Sequence, residues 1–276
     1  MIVKKVFQKS PFRGTHGHMA KAKRIISEDL KIIDLVIEVI DARIPISSRN
    51  PDLNEIVKNK KKIVILNKSD IADEKQTQKW KDKLTKDNVI AISNNSLNNK
   101  KNNEIISTIE KMMKEETEKG LQKGRVGRTI RVMILGIPNV GKSSIINRLA
   151  NRNTQTVGNK PGVTVKNQWI RIGNNIELLD TPGVLWPKFE NEKIALNLAF
   201  TGTIKDEILD NLEIAYELLN NENQAENENI MDVMRLIGRK RGAIISGGNI
   251  DENKTANILI KDFRDAKIGR ITLETI

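Results

Sequence analysis

The segment Gly136–Ser143 has the residue types and spacing of a loop that binds the phosphates of a nucleotide. It reads G-I-P-N-V-G-K-S, which matches the pattern G-x-x-x-x-G-K-[ST]. Glycines allow such a loop to wrap closely, so that backbone N–H groups point at phosphate oxygens. Lys142 is expected to reach the β- and γ-phosphates, and the Ser143 hydroxyl to ligate Mg²⁺. Further nucleotide contacts are expected from Pro138, Asn139, Val140, Gly141 and Ser144.

A predicted strand precedes this loop and a predicted helix follows it, which is the context that a phosphate loop requires. The apolar run Val132–Leu135 precedes it and is typical of a buried strand. Ile145, Ile146 and Leu149 follow at helical spacing. The positive end of that helix dipole adds to the attraction for phosphate. A glycine turn without any ligand is the alternative, and the strand and helix context argues against it.

Two further motifs predict the metal and γ-phosphate contacts. Asp180 ends a predicted strand in D-T-P-G, which suits a carboxylate that holds Mg²⁺, commonly through water. Gly183 leaves room for its N–H to meet the γ-phosphate. Thr164, in K-P-G-V-T, is expected to close a mobile loop over Mg²⁺ and that phosphate.

A guanine-reading motif lies earlier in the chain. Asn67, Lys68 and Asp70 form N-K-x-D after the predicted strand Ile63–Leu66. A carboxylate accepts from both N1–H and the exocyclic amino group of guanine, a donor pair that adenine lacks. In a chain this rich in Lys and Asn, the motif alone is weak. Beside a phosphate loop and D-T-P-G, it predicts GTP as the nucleotide.

The order of these motifs indicates a circular permutation. Guanine readers normally follow the phosphate loop, whereas Lys68 precedes Lys142 here. Six predicted strands with interleaved helices favour an α/β fold, a doubly wound, mostly parallel sheet with one antiparallel pair. Four helical segments follow Pro187. We therefore predict a basic N-terminal segment at 1–24, a GTPase domain at 25–187 and a small helical domain at 188–276.

Composition favours a nucleic-acid partner. The net charge is +12 and the pI about 9.7, although lysine-biased composition is an alternative cause. Cysteine is absent, and no apolar run approaches the length of a membrane span, so we expect a cytoplasmic protein without a membrane partner. We predict that basic residues of the C-terminal helices contact RNA; the alternative is that they only form a solvated face. These residues are Arg239, Lys240, Arg241, Lys261, Arg264 and Arg270.

Together these motifs resemble the circularly permuted GTPases of the YlqF/YawG type. The resemblance also rests on G-H-M-A-K-A at 17–22, D-A-R-I-P at 41–45, S-S-R-N-P at 47–51, R-K-R-G at 239–242 and D-F-R-x-x-K-I-G-R-I-T-L-E at 262–274. It covers nearly the whole chain. It implies GTP hydrolysis coupled to late assembly of the large (50S) ribosomal subunit, with rRNA contacts and activation by the ribosomal particle and by K⁺.

The resemblance also implies roles for individual residues. Asn139 is the expected K⁺ ligand. The alternative is that asparagine occurs there only because it favours a turn after Pro138. Val184 stands where many GTPases have a water-orienting glutamine, so His18 becomes the candidate for positioning the water, with RNA or solvent contact as alternatives. Ser93-Asn94 occupies the place of a guanine-supporting Ser-Ala pair, and P-F-R-G-T-H-G-H-M departs from the family's shorter segment before His18.

Three functional classes stay open at this point. The leading expectation is a GTPase that assembles the large subunit as a monomer off the ribosome, with rRNA and ribosomal proteins as partners. The second is a GTP-dependent RNA-binding module in which hydrolysis is incidental. The third is a GTPase of tRNA modification or membrane signalling, for which the sequence offers neither a second catalytic domain nor an anchor.

Overall fold

A single mixed sheet forms the centre of the structure. The computed structural model describes residues 15–95, 102–124, 128–150, 156–157, 168–181, 191–204, 206–222 and 229–276. Within these ranges the strands are β1 (Leu35–Asp41), β2 (Lys61–Asn67), β3 (Val89–Asn94), β4 (Ile130–Leu135), β5 (Thr156–Val157), β6 (Gln168–Ile172) and β7 (Ile176–Asp180). Their order is β3-β2-β1-β4-β7-β6-β5, with β6 antiparallel to both neighbours and the other pairs parallel.

The predicted doubly wound, mostly parallel sheet is therefore confirmed. The structure adds a seventh strand and a second antiparallel pair, because Thr156–Val157 pairs with Trp169 and Ile170 of β6. The polar composition of residues 151–164 predicts a loop at these two positions. Two residues are too few to give a periodic signal, and only pairing with β6 defines them as a strand.

Helices cover both faces of the sheet. The described helices are α1 (Thr15–Asp29), α2 (Pro51–Ile56), α3 (Glu74–Leu84), α4 (Asn102–Met112), α5 (Lys114–Gln122), α6 (Lys142–Ala150), α7 (Glu192–Phe200), α8 (Asn211–Glu222), α9 (Ile230–Lys240) and α10 (Glu252–Arg264). Apolar residues of α4 and α6 pack on one face, and those of α1, α2 and α3 on the other. The sequence of residues 103–119 predicts a single helix. The structure has two helices instead, which break at Met113 (φ −99°, ψ 5°).

The permuted strand order puts the two nucleotide motifs side by side. β1 is buried along its whole length and lies between β2 and β4. The guanine-reading motif follows β2 and the phosphate loop follows β4, so both emerge at the carboxyl edge of the same parallel sheet. Ligands of open α/β sheets bind at that edge.

Helices α7–α10 pack around an apolar cluster of their own that includes Phe200, Leu259 and Phe263. The predicted start of this helical domain, at 188, lies outside the described residues. The predicted boundary between residues 24 and 25 falls inside α1. After α10, Ile271 and Leu273 still pack against this cluster. The chain then lies against α3, where Trp80 Nε1 donates to the Glu274 carbonyl at 2.6 Å.

Candidate active site

Two glycines allow the phosphate loop to lie close to the backbone of β1 and to the side chain of Asn67. The loop joins the end of β4 to Lys142, the first residue of α6. A Cβ on Gly136 (φ +154°) would lie 2.6 Å from the Val39 carbonyl oxygen. A Cβ on Gly141 (φ +99°) would lie 2.2 Å from the Asn67 amide nitrogen. Any side chain at either position would therefore force the loop away from β1 or from the guanine-reading motif.

Lys142 turns back onto the loop. Its ammonium group donates to the carbonyls of Gly136 at 2.9 Å and Ile137 at 3.0 Å. Burial lowers the pKa of Lys142 to about 8, and the charge of Asp180 opposes this shift. A phosphate nearby would strongly stabilise the charged form of a buried lysine that is held mainly by neutral carbonyls. Pro138 and Ser144 lie in the same loop and helix start as predicted, and Val140 is buried beneath the loop.

Asp180 lies on β7, the strand next to the one that leads into the phosphate loop. It ends β7 opposite Ile134 of β4, and the hydroxyl of the next residue, Thr181, donates to the Ile134 carbonyl at 2.6 Å. Burial raises the pKa of Asp180, whereas Lys142 lowers it. Ser143 is exposed in the first turn of α6. A hydroxyl and a carboxylate are oxygen donors of the kind that Mg²⁺ prefers. Thr164 and Gly183, the other predicted contacts, lie outside the described residues.

The guanine-reading motif is bonded directly to the phosphate loop. The buried Asn67 amide donates to the Val140 carbonyl at 2.7 Å, and the Asn94 amide donates to Asn67 Oδ1 at 2.9 Å. Alanine, which the family pattern has at the position of Asn94, could not donate this bond to Asn67. Ser93 precedes it at the end of β3. Asp70 is half-buried, and its carboxylate has no partner within the described part of the chain.

Asp41 and Arg43, for which the sequence predicted no role, lie beside Lys68 in the structure. Asp41 Oδ2 is 2.8 Å from both Lys68 Nζ and Arg43 Nη2. Burial alone would raise the pKa of Asp41, but Arg43 and Lys68 together hold that pKa well below its usual range. The signal was present in D-A-R-I-P directly after a buried strand, since a carboxylate and a guanidinium two residues apart can pair.

The C-terminal end of α7 joins the phosphate loop to the helical domain. α7 ends in a Schellman motif, in which Gly202 N–H bonds to Ala199 O and Thr203 N–H to Leu198 O. Asn139 (φ +62°) donates its amide to Gly202 O at 3.1 Å and Thr203 O at 3.4 Å. Its Oδ1 has no partner among the described residues, which leaves an oxygen that suits K⁺.

Two basic groups also reach this end of α7. Arg264 donates to the carbonyls of Ala199 at 2.8 Å and Phe200 at 3.0 Å. Arg43 Nη2 lies 3.4 Å from the Thr201 carbonyl oxygen. Positive groups are favourable there because the carbonyls at a helix C-terminus carry partial negative charge.

The predicted RNA-binding residues fall into two groups. Arg264 is bound to Asp206 and α7, and Arg241 pairs with Asp262 at 2.9 Å. The other four are exposed and have no ion pair or hydrogen bond from their cationic groups within the described ranges: Arg239, Lys240, Lys261 and Arg270. Arg239 and Lys240 form the last turn of α9, and the exposed Ile244 and Ile245 follow them.

His18 lies in α1, but the position of its side chain is outside the described part of the structure. The two glycines near His18 predict a flexible loop that leads into a helix near Ala20, but the helix already begins at Thr15 and includes His18. None of the described helices is long and apolar enough to cross a membrane.

Comparison with known proteins identifies the family of this chain. Residues 131–245 match the family of 50S ribosome-binding GTPases, so the match begins at β4 and leaves the guanine-reading motif ahead of it. The chain is 45% identical over 271 residues to ribosome biogenesis GTPase A of Bacillus pumilus, covering 94% of this chain and 96% of that protein. It is 32% identical to ribosome biogenesis GTPase A of Thermotoga maritima, covering 94% and 92%. A solved GDP-bound structure of TM YlqF matches with a TM-score of 0.69 and 26% identity, over 91% of this chain and 98% of that one.

The fold and the site define a P-loop GTPase whose guanine-reading motif precedes its phosphate loop. The chain belongs to the ribosome biogenesis GTPase A family and is a GTP-hydrolysing enzyme that acts in ribosome biogenesis.

Proposed function

We propose that this GTPase drives a late step in assembly of the large (50S) ribosomal subunit and that its C-terminal helical domain contacts rRNA. Its partners are then GTP or GDP and the large-subunit precursor with its rRNA and ribosomal proteins. Off the ribosome it acts as a cytoplasmic monomer. The hydrogen bond from Asn139 to the end of α7 carries the proposal, because it gives the phosphate loop a direct contact with the helical domain.

The phosphates of GTP lie on the loop Gly136–Ser143 in this proposal. Lys142 leaves the carbonyls of Gly136 and Ile137 for the β- and γ-phosphates, and its low pKa makes that exchange favourable. Mg²⁺ would be held by Ser143, Asp180 and Thr164. Its positive charge would stabilise the negative charge that develops on the phosphate oxygens. The Gly183 N–H meets the γ-phosphate. Asn139 Oδ1 holds K⁺ as a further fixed charge.

The base lies at the end of β2 and β3. Asp70 accepts from guanine, while Lys68, Ser93 and Asn94 form the wall of the base site beside Asn67. Because Asn67 is bonded to Val140 at 2.7 Å, base and phosphate contacts belong to one connected network. Discrimination against adenine follows from the missing donor pair, which leaves the Asp70 carboxylate unpaired in the site.

Hydrolysis depends on a water that Val184 cannot position by hydrogen bonding. His18 is the proposed positioning group, since a neutral imidazole can accept a hydrogen bond from water. Slow intrinsic turnover follows, with stimulation when the ribosomal particle brings His18 to the nucleotide.

The RNA contacts are phosphate and shape contacts in this proposal. Aromatic residues make up 3% of the chain, which disfavours stacking on single-stranded bases. The exposed cations Arg239, Lys240, Lys261 and Arg270 supply the surface, with Arg241 and Arg264 supporting it through their pairs with Asp262 and Asp206. Such contacts bind structured RNA with a strong salt dependence.

Sedimentation with ribosomal particles tests the proposal. The full chain is centrifuged with isolated large-subunit precursors in the presence of a non-hydrolysable GTP analogue, GDP or no nucleotide. We expect co-sedimentation that depends on the nucleotide. Nucleotide-dependent binding to free RNA only would favour the RNA-binding module, binding to tRNA would favour the modification class, and co-migration with neither ribosomal subunit would contradict the proposal.

A further inference from the structure

We propose that Asp41 is a positioning residue for guanine recognition, because its carboxylate fixes the ammonium group of Lys68 before the nucleotide arrives. This proposal rests on the assignment of Asn67–Asp70 as the guanine reader. It goes beyond that assignment because Asp41 lies in a different segment, at the end of the neighbouring strand.

The sheet register brings Asp41 and the guanine reader together. Asp41 is the last residue of β1 and lies opposite Asn67, the last residue of β2. Lys68 follows with a left-handed backbone (φ +60°), which ends the strand and begins the turn to Asp70. This conformation is uncommon for a residue with a side chain. It directs the lysine to the carboxylate of Asp41, 2.8 Å away, rather than along the strand.

Charge balance shows that Asp41 does not need Lys68 as a counter-ion. Arg43 already donates to both of its carboxylate oxygens, from Nε at 2.9 Å and from Nη2 at 2.8 Å. Bidentate pairs of this kind neutralise a buried carboxylate well. The side chain of Arg43 is 2% exposed, and within the described ranges Asp41 is the only carboxylate that it pairs with. Lys68 is 22% exposed and has access to water.

The contact with Lys68, the second cation beside Asp41, therefore serves more to fix the position of the lysine side chain than to neutralise the carboxylate. A lysine side chain has many rotamers, and fixing them on binding would weaken the affinity for the nucleotide. The bond to Asp41 removes that freedom beforehand. Lys68 lies between Asn67, which is bonded to the phosphate loop, and Asp70, whose carboxylate has no partner in the described part of the chain. A fixed Lys68 thus forms a rigid wall beside the base.

A double-mutant cycle on nucleotide affinity tests this inference. The affinity of the full-length protein for GDP is measured by calorimetry for wild type, Asp41→Asn, Lys68→Ala and the double variant. If Asp41 acts through Lys68, each single substitution lowers the affinity by about tenfold and the second adds almost nothing to the first. Additive losses, or an unchanged affinity in Asp41→Asn, would overturn the proposal. An unchanged affinity in Lys68→Ala would instead contradict the guanine-site assignment itself.

The chain offers a matched control in the same strand. Glu38 is also a buried carboxylate of β1 with two cationic partners, Arg49 at 2.8 Å and Lys62 at 3.3 Å, but it lies away from the guanine reader. Glu38→Gln should lower the melting temperature and leave GDP affinity unchanged. If Glu38→Gln lost as much affinity as Asp41→Asn, the loss would indicate general destabilisation and would contradict the proposal.

A measurement on the wild-type protein covers the case in which Asp41→Asn does not fold. NMR relaxation of the Lys68 side chain in the nucleotide-free protein should show a rigid Cε group, whereas the exposed Lys114 should be mobile. A Lys68 as mobile as Lys114 would contradict the proposal.

Discussion

The side-chain amide of Asn139 donates a hydrogen bond to the carbonyl oxygen of Gly202, 3.1 Å away. One residue belongs to the phosphate loop and the other to the end of α7, the first described helix after D-T-P-G. The phosphate loop is thus hydrogen-bonded directly to the end of a helix that packs with α8 and α10, and Arg43 and Arg264 also contact that helix end.

Substitutions at Asn139 should separate its two proposed roles. Asn139→Ala removes the oxygen for K⁺ and the donor to α7, so turnover should become equal in KCl and NaCl of the same ionic strength. Asn139→Asp keeps an oxygen for the cation but replaces the donor with a carboxylate that repels the Gly202 and Thr203 carbonyls. It should retain a preference for K⁺. Equal rates of the wild-type enzyme in both salts would refute a potassium role.

Lys142 should couple nucleotide binding to proton uptake above about pH 8. The pKa of Lys142 in the folded protein is lower than its ordinary 10.5, so between these two values the unfolded chain binds a proton that the folded chain lacks. Stability therefore rises with pH across that window as far as this group is concerned. A phosphate beside the lysine raises its pKa again, so GDP affinity should fall by up to about tenfold per pH unit above pH 8.

Calorimetry of GDP binding at about pH 9 in two buffers with different ionisation enthalpies measures this proton uptake. Lys142→Arg is the control, because a guanidinium does not titrate in this range. The same proton uptake in that variant would assign it to another group.

Glu274 should hold the chain end onto the sheet. Its carboxylate accepts from the Ser47 N–H at 3.0 Å and from the Asn197 amide at 3.1 Å, and so it joins the loop after β1 to α7. Glu274→Ala leaves these donors without their acceptor and should cost about 1–3 kcal/mol in the free energy of unfolding. Urea denaturation measures the change, with the exposed Glu115→Ala on α5 as control. A loss no larger than that of Glu115→Ala would contradict a role for Glu274.

Arg239 and Lys240 should contribute to RNA affinity without affecting GTP. The double substitution to Ala is expected to weaken binding to large-subunit rRNA and to reduce the slope of log K against log salt by about one per lost phosphate contact. Filter binding across a salt series gives both quantities. Lys114→Ala with Lys119→Ala removes the same charge from the exposed face of α5. Equal effects of the two double variants would indicate that net charge alone matters.

His18→Ala should abolish the stimulation of hydrolysis by the ribosomal particle while GTP affinity stays nearly the same. The reason is that a residue positioning the attacking water acts on the reaction and contributes little to nucleotide binding. Single-turnover hydrolysis with and without particles measures this effect. His16→Ala changes the other histidine, two residues away in the same helix, and should keep the stimulation. Full stimulation in His18→Ala would rule out the positioning role.

The sequence by itself determined the enzyme class and most of the fold. Gly136, Gly141 and Lys142 have the spacing of a phosphate loop, and Asn67 and Asp70 predict guanine as the base. The α/β class followed from β-branched runs that alternate with amphipathic segments. These signals are local, because each depends on residues that are neighbours in the chain.

Only the tertiary structure decided how these motifs are connected. Asp41 meets Lys68 because β1 and β2 pair in register, and Asn139 meets Gly202 because α7 ends beside the phosphate loop. Glu274 crosses back to Ser47 from the far end of the chain. A single sequence carries no signal for such contacts, since the attraction between two side chains depends on their separation in space and not along the chain.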